Sequence, residues 1–236
     1  MKRATLEALN RARKEGRPIV RVVDLDTADE RLFEPGHETS AMGMAATAAA
    51  RTDRSGPLEI DGSNCLIDVH NPQLEMVIVG AVHIAQALAP MATLAGYRVR
   101  IIDPRTAFAT GARFPGVALS HDWADEALEK QPLGSRSALI ALAHDPKLDD
   151  PALTAALTSN CFYIGALGSK KSHAGRLARL KAQGFTDEEL KRIHGPIGLN
   201  IGAKTPAEIA ISILAEMTLR LRTDDGWEQS VTRATA

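Results

Sequence analysis

Aromatic residues make up only 4% of this 236-residue chain, and cysteine occurs twice. Cys65 and Cys161 form neither a disulfide framework nor the paired spacing of a zinc site, which points to a reducing compartment. No apolar run approaches the length of a membrane span, so none is expected. An excess of one charge is missing too. Twenty-eight basic residues stand against 29 acidic ones, for a net charge of -1, which argues against a broad electrostatic grip on nucleic acid or anionic membrane. Met1 to Gly16 is a charged amphipathic stretch carrying Glu7 and Glu15, without the apolar core or small-residue cleavage site of an export signal. A cytoplasmic location is therefore expected. The length suits one large domain or two small ones with a substantial core.

The stretch from Met76 to Arg105 organises the rest. Met76-Val77-Ile78-Val79 is an unbroken apolar run of the kind required by a parallel strand covered on both faces, and it stops at Gly80. A helical pattern follows, with Ile84, Leu88, Met91, Ala92 and Ala95 on one face and Gly96 ending it; Pro90 inside the pattern predicts a kink or a late start. Val99 to Ile102 reads as a second strand with Asp103 at its carboxyl end. This is the layout of a dinucleotide-binding half, in which a helix amino terminus faces a phosphate and an acid about twenty residues on holds a ribose. The fingerprint G-x-G-x-x-G/A is imperfect. It reads Gly80-Ala81-Val82-His83-Ile84-Ala85, with valine where the second glycine lets backbone touch a pyrophosphate. A single phosphate held slightly farther out suits that side chain better than a diphosphate; an altered or empty pocket suits it equally.

Before this stretch, residues 1–72 read as a small α+β domain. A short helix ends at Gly16, Pro18 to Val23 is a strand with Arg31-Leu32-Phe33 as its hairpin partner, and Ala41 to Arg51 is an alanine-rich helix with little bulk. Two further strands, Leu58 to Ile60 and Cys65 to Val69, flank Asp61-Gly62-Ser63-Asn64, and Asn71-Pro72 marks the boundary. After it, residues 73–222 repeat strand and helix as a Rossmann-like, doubly wound parallel α/β sheet. Strands are expected at Val117 to Ser120, Ser137 to Leu142 and Cys161 to Ile164, and helices at Trp123 to Gln131 and from Pro151, with Asp150 as its cap. A basic helix to Gln183, a short one over 187–193, and a long final helix opened by the capping box Thr205-Pro206-Ala207-Glu208 complete the domain. Residues 223–236 form a polar tail.

Ligands of open parallel sheets bind beyond the carboxyl ends of the strands, where strand order reverses. Gly80 to His83, Asp103-Pro104-Arg105, His144-Asp145 and Gly165 to Lys171 all follow strands and so face one crevice. In it, His83 is either a surface residue or a neutral ligand to a metal or oxo group. Asp103 either caps the turn at Pro104 or contacts a sugar or pterin, and Arg105 is a solvated charge or a phosphate clamp. His144 and Asp145 suit an ordinary turn, proton transfer or polar recognition. Gly165, Gly168, Ser169 and Lys170 give the better anion signal, with glycines for close approach, a hydroxyl donor, and a positive charge beside a helix start. Gly195-Pro196-Ile197-Gly198-Leu199-Asn200-Ile201-Gly202 is a shaped loop whose backbone must lie close to a ligand or to another segment.

Together these motifs resemble the xanthine dehydrogenase accessory protein family, the XdhC/CoxI group of molybdenum cofactor chaperones. The matching residues are Gly80 to Ala85, Asp103-Pro104-Arg105, His144-Asp145 with Asp149, Tyr163 to Ser169, His194 to Ala203, Thr205 to Ala210 and Ala215-Glu216, spanning about residues 76–218. The resemblance implies an accessory factor without catalysis of its own. Such a protein binds molybdenum cofactor (molybdopterin) as cargo, shields it while a cysteine desulfurase installs its terminal sulfur, and delivers it to a molybdenum hydroxylase apoenzyme of the xanthine dehydrogenase or carbon monoxide dehydrogenase type. Molybdopterin carries one phosphate in its simplest form, which agrees with Val82. The implied site is Gly80, Ala81, Val82, His83, Asp103, Arg105, His144, Asp145, Gly165, Gly168, Ser169 and Lys170; metal ligands are undetermined.

Two departures from the family stand out: Val82 itself, and Ser40-Ala41-Met42-Gly43-Met44-Ala45 where many members carry a glycine-rich segment with cysteine and glutamate. No thiolate is offered there, and Cys65 and Cys161 read as packing residues. A homodimer would let the small first domain bury more surface. Two rival readings are an NAD(P)-dependent oxidoreductase, against which Val82 counts, and an adaptor that joins desulfurase and target enzyme without binding cofactor.

Overall fold

The computed structural model describes residues 1–36 and 39–222; the expected tail, 223–236, lies outside the described residues. The described residues divide into two compact units, Met1–Pro72 together with Leu221 and Arg222, and Gln73–Arg220.

In the first unit, helix α1 (Arg3–Lys14) is followed by strands β1 (Ile19–Asp24) and β2 (Glu30–Phe33), helix α2 (Ala41–Thr52), and strands β3 (Gly56–Ile60) and β4 (Ser63–His70). The strands form one antiparallel sheet in the order β2-β1-β4-β3. Alternation along them is that of a sheet covered on one face: Cys65 and Ile67 are buried while the intervening Leu66 is partly exposed. The alanine-rich helix lies on that face through Gly43, Ala46 and Ala50, and the sheet supplies the bulk with Val20, Val22, Phe33, Ile60 and Ile67. Small residues let the helix approach closely, which is how a segment with little bulk still closes a core.

The second unit runs β5 (Glu75–Val79), α3 (His83–Leu94), β6 (Arg98–Ile102), β7 (Ala118–Ser120), α4 (Ala124–Lys130), β8 (Ser137–Ala141), α5 (Pro146–Leu157), β9 (Tyr163–Ala166), α6 (Lys170–Ala182), α7 (Asp187–Leu190), β10 (Ile193–His194) and α8 (Pro206–Arg222), whose last two residues group with the first unit. Its six strands are all parallel in the order β10-β9-β8-β5-β6-β7. The chain starts in the middle at β5, winds outward to β6 and β7, then returns to the other side of β5 for β8, β9 and β10. This is the Rossmann order, with its switch point between β5 and β8. β5 and β8 are buried at every position, so alternate residues fill opposite cores. Val77, Val79, Leu139, Ala141, Ile164 and Ala166 pack with Leu148, Leu153 and Leu180 from α5 and α6.

Four expectations need correction. α5 begins at Pro146, not Pro151: Asp145 caps it, accepting from Lys147 N at 3.0 Å, and the helix continues through Pro151. Two Asp-Pro pairs offer the same local start, and the earlier one wins because Leu148, Ala152, Leu153, Ala156 and Leu157 make one buried stripe across both. In α3 the buried face is Ala85, Leu88, Ala89 and Ala92, and Ala95 lies past the helix in an exposed turn. The smallest residues face the sheet, and Pro90 sits on the exposed side, where a missing backbone bond is cheapest. β9 starts at Tyr163, two residues after Cys161. The helix expected over 187–193 stops at Leu190, and Ile193-His194 instead adds the edge strand β10, too short to show a period in sequence.

Candidate functional site

The carboxyl ends of β5, β6, β8 and β9 are joined loop to loop. Gly80 has a φ of +106°, and a Cβ there would lie 2.6 Å from the backbone nitrogen of Ala143, so only glycine lets the loop after β5 sit against the loop after β8. Its neighbour Ala81 donates its N–H to Asp103 Oδ2 at 2.7 Å, tying that loop to the end of β6. On the other side, His144 (φ +58°) stands beside Gly168, where a Cβ would come within 3.5 Å of the imidazole and 3.1 Å of Ser172. The residues expected to share a crevice are therefore brought to one edge of the sheet.

Asp103 is fully buried and both its oxygens are engaged. Oδ1 accepts from the backbone N–H and Nε of Arg105 at 3.0 and 2.9 Å, and Oδ2 accepts from Arg105 Nη2 at 2.8 Å besides Ala81. Burial pushes this carboxyl up, but the Arg105 guanidinium and the two backbone N–H groups outweigh it and hold it below the usual carboxylate range. A sugar hydroxyl would have to displace Arg105 to reach it. Arg105, partly exposed, lies with its guanidinium carbon 4.8 Å from the centre of the Phe108 ring. Arg113 locks the same loop back onto the first turn, donating to Ala81 O at 2.9 Å, Phe108 O at 2.7 Å and Gln86 Oε1 at 3.0 Å. Sequence reading missed Arg113 because no local spacing links it to Ala81.

Three helix amino termini open toward this edge, and they differ. Ser169 caps α6, its hydroxyl accepting from Ser172 N, and Asp145 caps α5. Both side chains thus serve their own helices. Val82 occupies the cap position of α3 and offers no side-chain acceptor, so the first N–H groups of that helix keep their hydrogen-bonding capacity. An uncapped helix start carries roughly half a positive charge and a fan of donors, a ready site for one anionic group. His83, the first residue of α3, is exposed. Lys170 is exposed at the start of α6.

The glycine-rich loop after β10 lies close to other parts of the protein. A Cβ on Gly195 would fall 2.1 Å from His173 Nδ1, and one on Gly198 would fall 2.3 Å from Ser212 Oγ. The Gly195–Pro196 peptide is cis. Glu216 of α8 anchors the loop: it accepts from Gly198 N at 2.8 Å and from the Tyr163 hydroxyl, and lies 3.4 Å from His194 Nδ1. The Tyr163 and His194 rings stack at 4.8 Å. Burial, then the Glu216 charge, pushes the Tyr163 phenol well up, while His194, Tyr163 and Gly198 more than offset burial and hold Glu216 below its ordinary value. Gly165 has the same kind of reason to be glycine, since a Cβ would strike Ile197 and Tyr163.

Cys65 and Cys161 are both buried and unpaired, and burial pushes each thiol up, away from thiolate chemistry. Among the described residues, no group of three or more His, Cys, Asp or Glu side chains is placed to hold a metal ion. Among them, too, no helix is long and apolar enough to cross a membrane.

Comparison with known proteins agrees with this architecture. A crystal structure of a xanthine dehydrogenase from Bacillus halodurans superposes with a TM-score of 0.66 at 22% identity, covering 95% of this chain and 66% of that one, a likeness of fold. The chain is 34% identical over 167 residues to the uncharacterized protein YqeB of Escherichia coli, covering 66% of this chain and 30% of that protein. It is 32% identical over 155 residues to the molybdenum cofactor insertion chaperone PaoD of Escherichia coli, covering 65% of this chain and 42% of PaoD. It is also 29% identical over 156 residues to a probable xanthine dehydrogenase subunit from Bacillus subtilis, covering 66% of this chain and 45% of that protein. The chain thus spans less than half the length of these curated relatives. The family description XdhC Rossmann domain matches residues 76–217, more than half of the chain and nearly the whole second unit, and by that match the protein belongs to the XdhC family.

Proposed function

We propose that this protein is an accessory factor that binds molybdenum cofactor as cargo, protects it during sulfuration by a cysteine desulfurase, and hands it to a xanthine dehydrogenase or carbon monoxide dehydrogenase type apoenzyme. It acts as a carrier in the cytoplasm, not as a catalyst, and as a homodimer. Membership of the XdhC family and a relative named as a molybdenum cofactor insertion chaperone support the class of role. The observation that carries the site is the uncapped start of α3 at the switch point of the sheet. Its donors suit the single phosphate of molybdopterin, with Gly80, Ala81, Val82 and His83 around that group, and with Arg105 and His144 flanking it.

The alternative of an NAD(P)-dependent oxidoreductase has the Rossmann strand order and the acid after the second strand in its favour. Two features oppose it: Val82 crowds a diphosphate, and Asp103 is committed to Arg105 and Ala81. The deciding measurement is anaerobic loading of the purified protein with molybdenum cofactor, read as pterin and molybdenum retained through gel filtration, with NAD and NADP as competitors. Retention that drops at least tenfold in His83→Ala or Arg105→Ala supports the carrier. Saturable NAD(P) binding with neither pterin nor molybdenum retained would replace it with the oxidoreductase.

A further inference from the structure

On the face of the second sheet covered by α5 and α6, the His144 loop, the first turn of α5 and one side of α6 from Lys171 to Arg179 border an open cavity of about 340 Å3. Asp149, Lys171, Ser172, Arg176 and Arg179 line it together with His144. Arg176 is the unusual member, only 3% exposed. Its Nη2 donates to Leu167 O at 2.8 Å and lies 3.7 Å from Asp149 Oδ2, outside hydrogen-bonding distance. Its Nε and Nη1 are buried with no acceptor among the described residues. A buried guanidinium left with two dry nitrogens is costly, and Asp149 Oδ1 is likewise buried without a donor, so the cavity calls for a group that accepts from Arg176 and, through a hydroxyl, donates to Asp149.

The rest of the lining defines what that acceptor is. Arg179 is held by Asp150 at 2.5 and 2.9 Å, so one cation and one acid cancel. Arg176 and Lys171 then face a single carboxylate, Asp149, which leaves a positive excess. The amino terminus of the 13-residue helix α6 adds to it, because Ser169 takes the N–H of Ser172 while those of Lys170 and Lys171 precede any intrahelical acceptor. Two cations line the cavity beside the free N–H groups of the α6 start, and the Ser172 hydroxyl, 3.0 Å from that of Ser169, adds a donor; together they suit a tetrahedral oxyanion.

We propose that this cavity is a second anion subsite, taking a phosphate monoester between Arg176, Lys171 and Ser172. β9 lies two strand spacings from β5, roughly 10 Å in the plane of the sheet, so the subsite is separate from the start of α3. It stands on the cavity and its charges, independently of which cargo the protein carries.

The test is titration of the full chain with inorganic phosphate at constant ionic strength, followed by calorimetry and by the shift in thermal unfolding. Wild type and a Lys14→Ala control on the first unit are expected to bind saturably and alike. Lys171→Ala and Ser172→Ala are expected to bind at least tenfold more weakly at this site, and Arg176→Met to lose it, while any phosphate taken at the start of α3 is unaffected. Absence of saturable binding in wild type, or undiminished binding in both Lys171→Ala and Ser172→Ala, would overturn the proposal; these two exposed or half-exposed positions decide it even where Arg176→Met fails to fold. Molybdenum cofactor retention in the same variants tells the sources apart. If it falls with phosphate binding, the phosphate of the cargo sits here and not at the start of α3; if it persists, a free phosphate fills the subsite. Saturable phosphate binding in a protein that retains no cofactor would uphold the subsite while removing the carrier function.

Discussion

Gly80, Asp103 and Ser169 carry sequence signals of ligand binding, yet each also has a complete occupation within the fold. Gly80 admits the backbone of Ala143, Asp103 is saturated by Arg105 and Ala81, and Ser169 caps α6. Gly80→Ala is accordingly expected to destabilise the second unit whether or not cargo binds. Positive φ and a Cβ pressed on backbone at 2.6 Å together should cost about 2–4 kcal/mol, read from the urea midpoint. A loss below about 0.5 kcal/mol would show that the β5 and β8 loops separate easily. Val82 shows the converse: it spoils a motif, and by offering no cap it leaves all the first N–H groups of α3 with capacity to spare.

Among the elements, the loop from His194 to Ala203 shows how one buried carboxylate fixes a segment. Glu216 reaches from α8 to Gly198, Tyr163 and His194, so α8, β9 and the loop share one anchor. Glu216→Ala would leave the Gly198 N–H and the Tyr163 hydroxyl without their acceptor. A loss of about 2–4 kcal/mol in chemical denaturation is expected, with faster amide exchange at 195–202. Unchanged exchange in that loop would mean that the glycine contacts with His173 and Ser212 suffice to hold it. The capping box of α8 and the buried runs of β5 and β8 were legible because each is a local pattern. The start of α5 and the edge strand β10 were not: two Asp-Pro pairs compete for the first, and two residues cannot show periodicity for the second.

At the level of the whole molecule, the second unit holds a continuous core from β5 through α7, built among the described residues from that unit's own side chains. Residues 73–220 made alone are expected to fold, giving a mixed α/β circular dichroism spectrum and a single cooperative unfolding transition. A fragment that is insoluble, or that melts without cooperativity, would show that the first unit is needed to complete the fold. The first unit has its own one-faced sheet under α2, and its one cysteine, Cys65, is buried beneath it.

The sequence by itself determined the alternation of strand and helix, the crevice-facing loops and the family, because these rest on local apolar periodicity and on short motifs that stay contiguous in the chain. Only the tertiary structure decided which polar groups remain open for a ligand. Asp103 and Arg105 are near neighbours whose pairing closes the acid, while Arg113 and Ala81, or Arg176 and the cavity beside His144, meet only after the sheet is wound. Hydrogen-bond capacity is consumed by whatever folding brings within about 3 Å, and chain spacing does not encode that distance.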